Sequence, residues 1–156
     1  MGLKKDLETT LVQDTNLRPP ATIAEGATVR MAVEAMRSAG LGCVIVVDAD
    51  ARAVGMFTEA VLRHCLNESV SVLDDCVASQ MVSRLPWVSP TESVGVVLDA
   101  MEEHNIRFLA VLDEERHVIG ITGQKTFMEF LAEYFPSEIL TQDPTAVTYS
   151  RSKEGA

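Results

Sequence analysis

The sequence predicts a mixed α/β (α+β) fold built twice: two tandem units, each strand–helix–strand–strand–helix, packed sheet to sheet as a pseudo-twofold module. Three observations predict it. The first is an internal repeat. Gly55 and Gly120 stand 65 positions apart; at the same offset, without a gap, Val29 meets Val94, Ala35-Met36 meets Ala100-Met101, Val46 meets Val111, Asp48 meets Asp113 and Leu66 meets Leu131. Two copies at so long a period describe a duplicated small unit, not a solenoid. The second is a pair of unbroken apolar runs, Cys43-Val44-Ile45-Val46-Val47 and Phe108-Leu109-Ala110-Val111-Leu112, which suit strands covered on both faces. The third is size: a half of this chain cannot enclose its own apolar face, so two copies must share a core.

In order, residues 1–13 form a lead-in segment, with Leu3, Leu7 and Leu11 at intervals of four over a helix from Leu3 to Val12. Pro19-Pro20 break any helix there. The first unit, 14–66, begins with a very short strand at Thr22-Ile23. Thr28 is the N-cap of a helix whose apolar residues Val29, Ala32, Val33 and Met36 follow the 3.6 period until Gly40 and Gly42 stop it. The run 43–47 is a strand, 48–52 a turn, Val54 to Phe57 the returning strand, and Glu59 to Leu66 a second helix. Residues 67–76 link the copies. The second unit, 77–135, repeats the order: strand Trp87-Val88, helix Ser93 to His104, strand Phe108 to Leu112, turn Asp113 to Arg116, strand Val118 to Ile121, helix Gln124 to Tyr134. The tail, 136–156, is polar, with little to bury, and is expected to be mobile.

The formal net charge of −10 argues against a nucleic-acid partner or an anionic membrane surface, since both need a basic face. It leaves a nucleotide open, because one local cluster of donors holds a phosphate. There is no apolar run of spanning length and no apolar leader at the N-terminus, so a cytoplasmic protein is expected. The three cysteines, Cys43, Cys65 and Cys76, lack CxxC spacing and read as buried free thiols. His64, His104 and His117 have no metal-ligand spacing, and no nucleophile elbow surrounds any serine. Met31, Met36, Met56, Met81, Met101 and Met128 read as packing residues. Nothing points to an enzyme.

The duplicated pattern resembles the CBS domain pair, or Bateman module, over residues 10–135. The resemblance rests on Leu41-Gly42-Cys43-Val44-Ile45-Val46-Val47-Asp48 with Val54-Gly55-Met56-Phe57-Thr58. It rests again on Asn105-Ile106-Arg107-Phe108-Leu109-Ala110-Val111-Leu112-Asp113 with Ile119-Gly120-Ile121-Thr122-Gly123. It implies a regulatory module with no catalysis and no required cofactor, often a homodimer, acting on a regulated protein that the sequence does not name. Its ligands would be adenosine compounds (AMP, ADP, ATP or S-adenosylmethionine) bound in the clefts between repeats. The family's motif is Gly-apolar-x-Thr/Ser-x-x-Asp. Its hydroxyl sits at a helix N-terminus beside phosphate, and its carboxylate accepts from the ribose hydroxyls.

Carried over residue by residue, the resemblance implies site residues Thr22, Ile23, Met56, Phe57, Thr58, Trp87, Val88, Arg107, Ile121, Thr122 and Lys125. Thr58 is equally an ordinary N-cap, and the two roles are compatible. Trp87 is a base-stacking candidate or a packing residue in the core or a dimer, and Arg107 a ligand contact or a solvated arginine. Lys125 either faces solvent or restores positive charge where the second copy lacks its hydroxyl. The chain departs from the motif in both copies. Val61 stands for the first Asp; Gly123 and Thr126 stand for the second Thr and Asp. The first-copy cleft, which keeps Thr58, is therefore the favoured site. The alternative is a ligand-independent dimeric interaction scaffold.

Overall fold

The computed structural model describes residues 2–135; the tail expected at 136–156 lies outside them. The order is α1 (Leu3–Thr9), β1 (Thr22–Ala24), α2 (Val29–Ala39), β2 (Cys43–Val47), β3 (Ala53–Thr58), α3 (Glu59–Glu68), β4 (Trp87–Val88), α4 (Val94–His104), β5 (Phe108–Leu112), β6 (Val118–Gly123) and α5 (Gln124–Tyr134). Two three-stranded sheets result, β1-β2-β3 and β4-β5-β6. In each, the first strand pairs parallel with the second and the second antiparallel with the third.

Local chemistry repeats at the 65-residue offset. The helix cap is the exception: Thr28 Oγ1 accepts from the Met31 N–H and caps α2, while the equivalent Ser93 gives α4 no side-chain cap. The helices α2 and α4 end in left-handed residues, Gly40 (φ 65°) and Asn105 (φ 50°), the two residue types that tolerate that conformation. Asp48 Oδ1 accepts from the N–H groups of Asp50 and Arg52, and Asp113 Oδ1 from those of Glu115 and His117. These side-chain bonds close the β2–β3 and β5–β6 turns and hold Ala51 and Arg116 at positive φ. The ladder slips by one residue between Val46 and Val47, and again between Val111 and Leu112.

Strand β5 shows how the sheets share a core. Leu109 and Val111 pack with Val12, Val88 and Val97. Ala110 and Leu112, on the opposite face, join Ile45, Val46, Met56, Phe57 and Ile121 in the larger core between the sheets. The unbroken apolar run reflects burial on both faces.

The copies are tied by exchanged segments. The Val12 N–H donates to Glu92 O (2.8 Å) and the Val94 N–H to Thr10 O (2.9 Å). Sixty-five residues on, the Val77 N–H donates to Ala27 O (2.8 Å) and the Val29 N–H to Asp75 O (2.9 Å). Arg18 exchanges two backbone bonds with Ile121, as Val82 does with Met56. Each lead-in thus docks on the other copy. Arg52 and His117, equivalent positions, form a bridge with each other, so the pseudo-twofold axis passes between them.

The structure departs from expectation in four places. Helix α1 stops at Thr9, not Val12, because Val12 is drawn into the exchange and starts a 3-10 turn. The expected linker carries the end of α3 and 3-10 turns at Val70–Asp74 and Val77–Ser79. Cys76 is exposed, its thiol donating to Glu25 O, while Cys43 and Cys65 are buried. Met31 and Met128 are also exposed, although the helical period placed them with the packing methionines. No helix among the described residues is long and apolar enough to cross a membrane.

Val12 and Val77 are equivalent and both fully buried. Val12→Ala and Val77→Ala should each cost about 2 kcal/mol in urea unfolding, from lost burial plus the cavity left behind. A Val12→Ala cost near zero beside a full cost for Val77→Ala would show that the first lead-in is not docked. The His117 N–H, then that of Glu115 and the His117 ring, hold the Asp113 carboxyl below its ordinary value of 3.8. A lowered folded-state pKa gives stability that is present above that ordinary value and is lost as pH falls through the lowered one. Asp113→Asn should therefore flatten the acid limb of a plot of urea midpoint against pH; an unchanged limb would remove Asp113 from the account.

Candidate functional site

The two helices that follow the returning strands begin differently. In the first copy Thr58 has ordinary extended backbone (φ −127°), and its hydroxyl accepts from the Val61 N–H at 3.3 Å, capping α3. The Glu59 N–H donates to Gly42 O (3.0 Å), as the Gln124 N–H does to Arg107 O (3.1 Å) in the second copy. At the second junction the backbone presses closer. Gly123 has φ 156°, and a Cβ built on it would lie 2.0 Å from Arg107 O. No side chain with a β-carbon fits, which accounts physically for the loss of the motif's hydroxyl. It also leaves α5 without a side-chain cap.

Around that junction lies a cavity of about 560 Å³, open to solvent. Its walls come from both copies: the end of α2 and the residues after it (Ala39, Gly40, Leu41, Gly42), Arg107-Phe108 at the start of β5, and 121–126 with Met128 from β6 and α5. Leu41, Phe108, Ile121 and Met128 supply apolar surface. Arg18, Arg107 and Lys125 supply three positive charges, and no lining residue is acidic. Lys125 stands in the first turn of α5, where the helix dipole disfavours a cation by about 0.3–1 kcal/mol.

Arg18 donates through Nη2 to Glu129 Oε1, and Asn16 Nδ2 donates to Glu129 Oε2 at 3.1 Å. The buried Nε of Arg18 has no partner among the described residues. Thr126, at the ribose-carboxylate position, is 4% exposed, and its hydroxyl donates to Asn16 O at 3.5 Å. A carboxylate there would face that carbonyl with no proton to give.

The first copy is arranged otherwise. Met81 lies over Gly55, so close that a Cβ on the glycine would fall 2.4 Å from the sulfur. The Glu59 carboxylate packs against Gly42, where a Cβ would lie 3.2 Å from its Oε2 and 3.1 Å from the Phe108 ring, so this acid borders two residues of the cavity wall. Burial first, and the Glu59 charge second, push the Cys43 thiol up to about 12. Cys43 is therefore an inert neutral thiol at neutral pH.

Of the residues singled out in the sequence, Arg107, Ile121, Thr122 and Lys125 come together around the one cavity. Thr22, Ile23, Met56, Phe57, Thr58, Trp87 and Val88 do not line it. Met56, Phe57 and Val88 are buried core. Trp87 is 47% exposed on the short strand β4, with the Arg116 guanidinium 5.9 Å from its ring centroid, which is cation–π range. Sequence reasoning missed Arg18 and the Ala39–Gly42 wall, because both reach the second-copy cleft from the first copy's stretch of chain. Their signal lay in the exchange of lead-ins, which no single-copy motif displays. Among the described residues no group of His, Cys, Asp and Glu gathers as a metal site.

A family model described as "CBS domain" matches residues 12–68 and, a second time, residues 75–133. The chain belongs to the CBS domain family, as a tandem pair. Solved structures share the fold. The CBS domain pair of protein MJ0100, in complex with 5′-methylthioadenosine and S-adenosyl-L-methionine, is 22% identical, with TM-score 0.73 over 80% of this chain and 98% of that one. A CBS domain protein from Pyrobaculum aerophilum complexed with AMP is 22% identical, with TM-score 0.66 over 78% and 98%. An uncharacterized conserved protein from Pyrococcus horikoshii is 20% identical, with TM-score 0.71 over 81% and 94%. Among curated relatives, homoserine O-acetyltransferases from Methanosphaerula palustris and Methanohalobium evestigatum are 28% and 25% identical over 77% and 85% of this chain. The chain spans 24% and 26% of their lengths, so the likeness concerns a segment of each.

In this CBS pair the departure at Gly123 has a direct test. Gly123→Ala, and the motif-restoring Gly123→Thr, should each lose at least about 2 kcal/mol through positive φ and the clash with Arg107 O. Thermal melts at matched concentration check it. A neutral Gly123→Thr would mean that the junction relaxes and the hydroxyl is absent for another reason.

Proposed function

We propose that this CBS pair is a regulatory module that binds an adenosine-containing ligand in the cleft between its repeats and so modulates a partner protein. The observation carrying the reading is the cavity of about 560 Å³ at the second-copy junction. It has the volume of a small-molecule site, apolar walls for a flat ring, and cations beside the uncapped start of α5 for an anionic group. The family supports it too: CBS structures of the same fold are complexes with S-adenosyl-L-methionine and 5′-methylthioadenosine, and with AMP.

Regulation requires the ligand to favour one of two arrangements of the pair. The cavity's walls belong to both copies, so a ligand there would bias how they sit against each other. We place the ligand in the second-copy cleft in preference to the one at Thr58, whose hydroxyl is already engaged as a cap. The rival reading, a ligand-independent dimeric scaffold in the cytoplasm, draws on Val61 and Thr126, which leave both copies without a ribose carboxylate. Exposed Met31 and Met128 would then serve protein contact.

Thermal shift separates the two. A ligand at a hundred times its Kd stabilises by about 2.7 kcal/mol, or about 5–10 °C for a chain of this size. We expect such a shift with at least one of AMP, ADP, ATP and S-adenosylmethionine. No shift with any of them at millimolar concentration would hand the argument to the scaffold.

A further inference from the structure

The two lead-ins dock through equivalent backbone bonds but are held by unlike side chains. Where the second, 75–82, crosses β3, the contact is apolar: Met81 presses on Gly55. Where the first, 10–18, crosses β6, Leu17 and the Arg18 carbonyl lie over Gly120, and the fastening is polar. Glu129 on α5 accepts from Arg18 Nη2 and from Asn16 Nδ2, and the Thr126 hydroxyl donates to Asn16 O. At the 65-residue offset, Ser83 stands for Arg18, His64 for Glu129, Met81 for Asn16 and Val61 for Thr126. Ser83 and His64 cannot make that ion pair, so only the first lead-in carries a charged latch.

The latch is weak for physical reasons. The Arg18 and Glu129 side chains are 27% and 35% exposed, and a partly solvated ion pair contributes little. Docking also buries the Nε of Arg18 without a partner among the described residues, and an unpaired buried donor opposes docking. Helix α1, which precedes the segment, buries no residue. Pro19-Pro20, which follow it, have no backbone N–H to give to either sheet. Val12, fully buried, and Leu17, partly buried, anchor the segment by packing. So few buried contacts put a segment at the low end of local stability.

We infer that residues 10–18 form a releasable strap latched by Glu129. Its release, with the rest of the fold intact, takes Arg18 out of the cavity wall and uncovers the slot that Val12 fills beside Val88, Val97, Leu109 and Val111. The strap itself needs no ligand. An occupant of the cavity that meets Arg18 binds the docked strap better and so shifts it shut; that linkage alone rests on the ligand reading above.

Amide hydrogen exchange of the whole chain, read residue by residue by NMR, tests the strap. The Val12 and Val94 N–H groups bond across the first lead-in, and those of Val77 and Val29 across the second. Protection factors at Val12 and Val94 should be about tenfold or more below those at Val77 and Val29. Glu129→Ala should lower the first pair by about threefold more. His64→Ala, at the equivalent place on α3, should change neither pair. Raising salt from about 0.1 M to about 1 M, which shortens the Debye length to about 3 Å, should act on the first pair as Glu129→Ala does. Equal protection at all four amides would overturn the strap, which would then open only with the whole fold. An equal loss at both pairs in Glu129→Ala would overturn the latch.

For the linkage, whichever of AMP, ADP, ATP and S-adenosylmethionine gives a thermal shift should raise protection at Val12 and Val94 beyond that at Val77. Arg18→Ala should abolish that excess. An equal rise at all four amides would overturn the linkage and leave both strap and ligand reading standing. No thermal shift with any of the four overturns the ligand reading and the linkage with it, while the exchange of the free chain still decides the strap.

Discussion

The structure depends on the exchange of lead-in segments between the two copies. The backbone bonds of Val12 with Glu92 and of Val94 with Thr10 recur as those of Val77 with Ala27 and of Val29 with Asp75. Buried backbone groups must be paired, and here the pairing partner of each copy's first helix is the chain that precedes the other copy. Neither half can satisfy its own helix start. Val12 fills the smaller core beneath β5, and Val77 the larger one beneath β2. The duplication is therefore not two domains in contact but one interlocked unit, and this is why its clefts have mixed walls.

That interlock fixes where the copies are free to differ. The strands cannot drift, because Ile45, Val46, Met56, Phe57, Ala110, Leu112 and Ile121 occupy one shared core, and such packing tolerates little change of volume. The turns cannot drift either, since Asp48 and Asp113 close them in the same way. Divergence collects at the starts of α3 and α5, on the cleft rims. There Thr58 faces Gly123, Glu59 faces Gln124, and Val61 faces Thr126 across the repeat. Gly123 is the key difference. By letting Arg107 O approach where a Cβ would be 2.0 Å away, it brings the start of β5 against the start of α5 and so sets one wall of the cavity.

Much of this was legible in the sequence, for identifiable reasons. Strand order, the Thr28 and Thr58 caps and both Asp-closed turns follow from short-range chemistry, and the repeat doubled the strand and turn signals. The apolar run 108–112 announced burial on two faces. What stayed illegible depends on contacts between distant segments. The end of α1 at Thr9 is decided by Glu92, not by the leucine spacing that suggested a longer helix. The period that paired Met31 and Met128 with buried methionines cannot say which helix faces are covered. Trp87, a candidate for base stacking or packing, stands half exposed with the Arg116 guanidinium of the β5–β6 turn over its ring. In the cleft, motif matching drew attention to Thr58, since it compares each copy with a pattern. It is blind to Arg18, which arrives from before Pro19 to line the other copy's cavity.

An acidic protein can carry a cavity wall suited to an anion, and the magnitudes show why. At physiological ionic strength the Debye length is about 8 Å, so most of the net charge of −10 is hidden from the cleft. Charges within a few ångströms decide: on the cavity wall these are Arg18, Arg107 and Lys125, and the Glu59 carboxylate packs against Gly42 at its edge. Glu129 neutralises the first without entering the cavity wall. Two cations at about 4 Å from a phosphate are worth roughly 1 kcal/mol each in bulk water and about four times that at the effective dielectric of a protein surface. Glu59, equivalent to Gln124 in the repeat, puts the opposite sign at the start of α3. One substitution in the repeat, Glu59 against Gln124, is enough to give the starts of α3 and α5 unlike charge while the core beneath them stays shared.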